Sequence, residues 1–325
     1  MVLVLAAAAT VAVGLGAVAV PPATVWWIAF DGLFRGVLTP DWDAGQAAIV
    51  WQLRVPRVLL GAVVGAALAM VGAALQASTR NPLADPHLFG ISSGASLGAV
   101  VVLLHVGALI GPLSLPLAAF AGAALSMLMV TAVARRDGAL APDRLILGGV
   151  AVSFVLMAAT NFLIFLGDHR AASAAVFRML GGLGLARWDE LWVPAVVPAG
   201  GGVRLMANAR GLNALMAGEE TAATLGIDVG RFRLALLGVR ALLAGTMVAM
   251  SGAIGFVGLM MPHITRLLVG ADNRRLLPVA GLAGAIFLVL VDIGARVVLA
   301  PEDLPIGIVT AALGGTFFLW QMRRR

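Results

Sequence analysis

The sequence predicts an all-α protein that crosses a membrane about ten times. Of its 325 residues 61% are hydrophobic and only 12% are charged, about half the charge of an average soluble domain, and mean hydropathy is +1.01. A soluble chain of this length would have too few charges to cover its surface. Apolar runs of bilayer length, roughly twenty residues each, recur from end to end. No charged or Ser/Gly/Pro-rich linker interrupts them, so residues 1–325 read as a single transmembrane domain.

The spans, in order, are expected at about 3–22, 56–77, 91–110, 113–134, 144–166, 191–206, 232–252, 256–269, 276–298 and 305–322. The first has no basic flank and reads as a retained span rather than a cleaved leader. The sixth contains Pro194 and Pro198, and the eighth is cut by Pro262, His263 and Arg266. Short or Pro-interrupted spans either line a pathway or are short helices held by their neighbours. Gly61 and Gly65, and Gly90, Gly94 and Gly98, recur every four residues, a spacing that lets helices approach closely.

With the N-terminus inside, the inner side carries Arg80, Arg135 to Arg144, Arg204 to Arg233, Arg266 to Arg275 and Arg323 to Arg325. The outer side carries Arg35, Arg54, Arg57, Arg170, Arg178, Arg187 and Arg296. This excess of roughly two to one fits the positive-inside rule. Trp26, Trp27, Trp42, Trp51, Trp188 and Trp192 fall near the outer boundary, as an interfacial belt does.

Absences narrow the function. There is no Cys, so disulfides and thiolate metal sites are excluded. All 22 basic residues are Arg. A phosphate-binding P-loop needs its Lys, so an ATPase, if one drives this chain, is another subunit. The net charge of +6 is scattered over span ends, which points to the anionic inner leaflet rather than to nucleic acid. No His pair has ligand spacing, and Ser92-Ser93 lacks a base, so neither a metal site nor a catalytic constellation is expected and an intramembrane hydrolase is the weaker rival.

Three stretches carry the function. The first joins Arg54-Val55-Pro56-Arg57 to an apolar helix, then Gln76, the turn Arg80-Asn81-Pro82-Leu83-Ala84-Asp85-Pro86 and the restart Gly90-Ile91-Ser92-Ser93-Gly94. Arg54 and Arg57 would share one face of a helix start, where the dipole disfavours them. The second is the polar inner segment at about 212–228, with good helix formers, breaks at Gly218 and Gly226, and Glu219-Glu220 where a second short helix would begin. The third is Gly252-Ala253-Ile254-Gly255-Phe256-Val257-Gly258-Leu259-Met260-Met261-Pro262-His263, whose His263 suggests a helix-start hydrogen bond. His87 reads as a surface turn residue.

This text resembles the FecCD-type permeases, membrane subunits of ATP-driven importers for ferric siderophores, haem and cobalamin, from the Arg54 region to Gly315. Ala253 stands where that family commonly has Pro. The resemblance implies a cobalamin-importer-like permease fold in the bacterial inner membrane. It implies a homodimer with two ATPase subunits, which hold ATP and Mg, and a periplasmic binding protein. The chain itself would be a transporter subunit, not an enzyme, with no cofactor of its own.

The resemblance also implies roles. Leu215, Gly218, Glu219, Glu220, Ala222, Leu225 and Gly226 would couple to the ATPase. Arg54, Arg57 and Arg296 would receive acidic residues of the binding protein; the alternative is snorkelling to headgroups. The segment from Arg135 to Arg144 would adjoin the inner gate, and Asn161 would lie on the pathway-lining fifth span. His169 invites an axial contact to haem iron, with Arg170 or Arg178 on the propionates; a solvated loop explains these residues equally well. Arg240, about 13 Å into its span from Arg231 at 1.5 Å per residue, either lines the pathway or is structural. Haem is the expected cargo, with a ferric siderophore or cobalamin as the alternative. An ion-driven transporter is more distant, because Asp292 is the only good intramembrane acid.

Overall fold

Fourteen helices build the chain among the described residues of the computed structural model, which are 1–16, 18–34, 41–87, 90–136, 139–140, 142–300 and 302–323. They are α1 (Val2–Gly14), α2 (Pro22–Leu33), α3 (Ala44–Thr79), α4 (Ile91–Val106), α5 (Gly111–Ala134), α6 (Pro142–Leu166) and α7 (His169–Met179). Then come α8 (Trp192–Ala207), α9 (Ala209–Ala217), α10 (Glu219–Thr224), α11 (Val229–Ser251), α12 (Val257–Val269), α13 (Asn273–Val297) and α14 (Ile306–Arg323). Ten of these answer to the ten expected spans. By length and composition, α3, α5, α6, α11 and α13 are apolar enough to cross a membrane alone; α1, α4 and α12 are shorter apolar helices.

Small residues set the packing. A Cβ on Gly65 of α3 would overlap the Gly284 carbonyl of α13, and a Cβ on Gly284 would overlap that of Gly65. Gly94 of α4 and Gly122 of α5 stand in the same reciprocal relation. Backbones meet at these points, as the four-residue glycine spacing predicts. Large side chains fill the space between: Leu60, Val64, Leu68, Met247 and Leu288 around α3, α11 and α13. A second cluster, at the end that the arginine distribution assigns to the inside (the inner end), joins Leu75, Leu205, Leu243, Leu276 and Leu277 to Leu212, Leu215 and Ala222 of α9 and α10. Helix α6 is peripheral: 22% of its apolar window is buried, against 72% for α3.

Four expectations need correction. The first span ends at Gly14, where Gly and Pro residues break it; 13 residues rise only about 20 Å, and the unexpected α2 follows. The second span begins at Ala44 rather than residue 56. Asp43 caps it, accepting from Gly45 N at 2.8 Å and Gln46 N at 3.3 Å, and a wide π-turn over Ile49–Arg54 carries the helix up to Pro56. Arg54 and Arg57 are therefore not at a helix start. The segment after Gly167 is helix α7 rather than a loop, because Asp168 caps it by accepting from Arg170 N at 2.7 Å. His263 sits within α12, its Nε2 2.9 Å from Gln321 Nε2, not at the helix start. His87 is an exposed turn residue, as expected.

Candidate functional site

The inner end presents two short helices folded back on the bundle. Gly218 joins α9 to α10 at φ +132, a left-handed geometry that suits glycine, and Gly226 at φ +80 closes the pair. Leu212, Leu215 and Ala222 point into the inner core, whereas Glu220 and Leu225 are exposed. Glu219 and Glu220 occupy the first turn of α10, where the helix dipole favours acids. Glu219 Oε1 accepts from Arg233 Nη2 of α11 at 2.7 Å. The pair thus has one face built into the membrane bundle and one free tip.

A latch that sequence reasoning missed holds α9 to α13. Asn213 Oδ1 accepts from Asn273 N at 2.9 Å and from Asn273 Nδ2 at 2.8 Å. Asn213 Nδ2 donates to Asp272 Oδ1 at 2.6 Å. Asp272 caps α13 by accepting from Arg274 N at 3.0 Å. These bonds, the Arg274 N–H first and the Asn213 amide next, hold the Asp272 carboxyl below its usual range. Asp272 before a helix was a legible cap signal; its partner 59 residues upstream was not.

Beside this pair lies a cleft of about 640 Å3, between the inner ends of α3 and α5 and the starts of α6 and α11. Arg240 reaches it although it is buried. Its Nε donates to Leu236 O at 3.0 Å and its Nη1 to Ser78 Oγ at 2.6 Å.

The three outer arginines line one cleft of about 260 Å3. Arg54 donates to the carbonyls of Val13 (2.8 Å), Gly14 (3.3 Å) and Val18 (2.6 Å). Arg296 donates to those of Ala12 (2.7 Å) and Leu15 (3.1 Å), and its Nε lies 3.0 Å from Asp292 Oδ2. Together they satisfy the carbonyls that α1 leaves at its C-terminus. Arg57 contacts Asp292 Oδ1 at 2.9 Å and also pairs with the half-exposed Asp303. Two of the three guanidiniums are therefore buried.

The expected pathway residues are dispersed. Arg144 and Arg170 are exposed, and Asn161 is exposed on α6. Arg178 donates to Ala249 O at 3.1 Å near the end of α11. The backbones of Arg135 and Arg136 pair with Leu140 and Ala139; Asp137, Gly138 and the His169 side chain lie outside the described residues. Two contacts had no local signal. Trp188 Nε1 donates to Trp51 O at 2.7 Å inside the π-turn of α3. Gln76 Oε1 accepts from Arg266 Nη2 at 3.0 Å.

Comparison with known proteins gives a consistent picture. The model of the FecCD transport family matches residues 3–324. The cobalamin import system permease protein BtuC of Halobacterium salinarum is 43% identical over 277 residues, 85% of this chain and 74% of that one. The vitamin B12 import system permease protein BtuC of Salmonella typhimurium is 41% identical over 283 residues, 86% and 85% of the two chains. Among solved structures, an inward-facing conformation of a metal-chelate type ABC transporter aligns with a TM-score of 0.83 at 29% identity, over 100% of this chain and 97% of that one. PsaBC from Streptococcus pneumoniae in complex with Fab aligns with a TM-score of 0.57 at 16% identity, over 82% and 89%, and bears on the fold alone.

Proposed function

The chain belongs to the FecCD transport family and is the multi-pass membrane permease of an ABC importer, and from that premise we propose that its cargo is cobalamin. One observation carries the choice: relatives 41% and 43% identical to most of this chain are named for cobalamin or vitamin B12 import. The haem expectation leaned on His169, Arg170 and Arg178. Of these, Arg178 is engaged with Ala249 O and Arg170 is exposed at the start of α7. An ion-driven mechanism loses its one acid, because Asp292 lies between Arg57 and Arg296.

In this reading two copies enclose the pathway and α6 faces it. A polar Asn161 exposed beside Phe162 and Phe165 suits a water-lined interface better than lipid. The exposed tip of α10 docks on a separate ATPase, which holds ATP and Mg. At the outer end, Arg57 is the docking group. A carboxylate of the binding protein replaces Asp303, whose exposed pairing is worth little, while Arg54 and Arg296 hold the cleft in shape.

Uptake into proteoliposomes containing the chain, its ATPase and its binding protein tests the cargo. ATP-dependent accumulation of cobalamin, with none of haem or a ferric siderophore, is the expected result. Accumulation of haem or siderophore without cobalamin would overturn the assignment.

A further inference from the structure

We propose that the inner cleft binds the phosphate headgroup of an anionic phospholipid of the inner leaflet, and that the bound headgroup competes with Glu219 for Arg233. The inference rests on the orientation in which α9 and α10 face the cell interior.

Charge balance is the first argument. Arg80, Arg233 and Arg240 line the cleft, and Glu219 is the one acid among its described lining residues. Glu219 answers Arg233. No described carboxylate pairs with Arg240 or with Arg80. Arg240 is 5% exposed, and its Nη2 makes no hydrogen bond among the described residues. A buried guanidinium with no counter-charge among the described residues is costly. The buried arginines of the outer end have either a carboxylate or three carbonyls in that place.

Shape and position are the second. Arg80 caps the end of the membrane-length helix α3 in a left-handed conformation, φ 49. The cleft continues along α11 from Val229 to Arg240, about 16 Å at 1.5 Å per residue. Apolar side chains, Met127 from α5 and Leu234 and Leu237 from α11, form one part of its lining, beside the hydroxyls of Ser78, Thr79 and Thr131. Arginines set among apolar side chains match an anionic amphiphile, and basic pockets between helices on the inner side of a membrane recognise such headgroups. A free inorganic anion would leave the apolar part of the lining unexplained. Because Glu219 opens α10, a phosphate on Arg233 would loosen the tip from α11, so bilayer charge would tune coupling.

The test is the thermal midpoint of the full chain in detergent, titrated with phosphatidylglycerol, with phosphatidylcholine of the same acyl chains, or with inorganic phosphate. Only phosphatidylglycerol is expected to raise the midpoint. Arg80→Gln, an exposed change that does not threaten folding, should weaken its apparent affinity about tenfold, as expected for loss of one hydrogen bond to a charged group. Arg240→Gln, if it folds, should do the same, while Arg275→Gln outside the cleft should leave the titration unchanged. An equal rise with phosphatidylcholine or with phosphate alone, or an unaltered titration in Arg80→Gln, would overturn the proposal.

Discussion

At the outer end, Arg54 gives hydrogen bonds to two carbonyls that finish α1 and to that of Val18 beyond it, and Arg57 and Arg296 share Asp292. At the inner end, the equally buried Arg240 has one carbonyl and one hydroxyl, and the α9–α10 tip projects Glu220 and Leu225 from the surface. Arg54 and Arg296 brace α1 against α3 and α13, while Arg57 meets the half-exposed Asp303. The inner segment is seated on one face and open on the other, the arrangement that the proposed coupling role needs. Basic residues at both ends look alike in sequence; what separates them is whether carbonyls and carboxylates from distant segments arrive to meet them.

Removing an outer brace should have the largest effect on stability. Arg296→Ala leaves the carbonyls of Ala12 and Leu15 without their donor and Asp292 with one guanidinium instead of two. The expected loss is about 3–5 kcal/mol, the range for breaking a buried ion pair, read as a lower thermal midpoint of the purified chain. A midpoint equal to wild type would remove the brace reading and restore an open docking arginine.

The inner latch should cost less. Asn213→Ala leaves the buried Asn273 backbone N–H without its acceptor and its Nδ2 with only Met216 Sδ, an expected loss of about 1–3 kcal/mol. Faster amide exchange should be confined to α9, α10 and the start of α13. Uniformly faster exchange across the bundle would show that the latch is not local.

The fold was legible because hydropathy and small-residue spacing are local signals, the first seen in α3, α5, α6, α11 and α13 and the second in α3 and α4. The two short inner helices were legible for the same reason, since Gly218 and Gly226 mark their ends. The start of α3 was misread because Pro56 looked like a helix boundary. The π-turn that admits it depends on Trp188 supplying a donor to Trp51 O from 137 residues away. The internal role of Arg54 and Arg296 was hidden likewise, because their acceptors belong to α1 and to the stretch just beyond it.

The smallest effect concerns acid. Asp272 has a depressed carboxyl pKa, so its share of stability is present above the ordinary value of about 4 and is lost only as pH falls through the lower folded value. The midpoint difference between wild type and Asp272→Asn should stay constant from neutral pH to about 5 and shrink only below about 4. Shrinkage already near neutrality would contradict the cap geometry.

The most direct measurement of the proposed coupling role pairs two readouts on one variant, Glu220→Arg/Leu225→Asp, which alters only exposed side chains. The thermal midpoint should match wild type, because exposed substitutions usually stay within about 0.5 kcal/mol, while ATP-driven uptake with the partner ATPase should be abolished and the complex weakened. Wild-type uptake and assembly in this variant would contradict the assignment of the α9–α10 tip as the coupling surface.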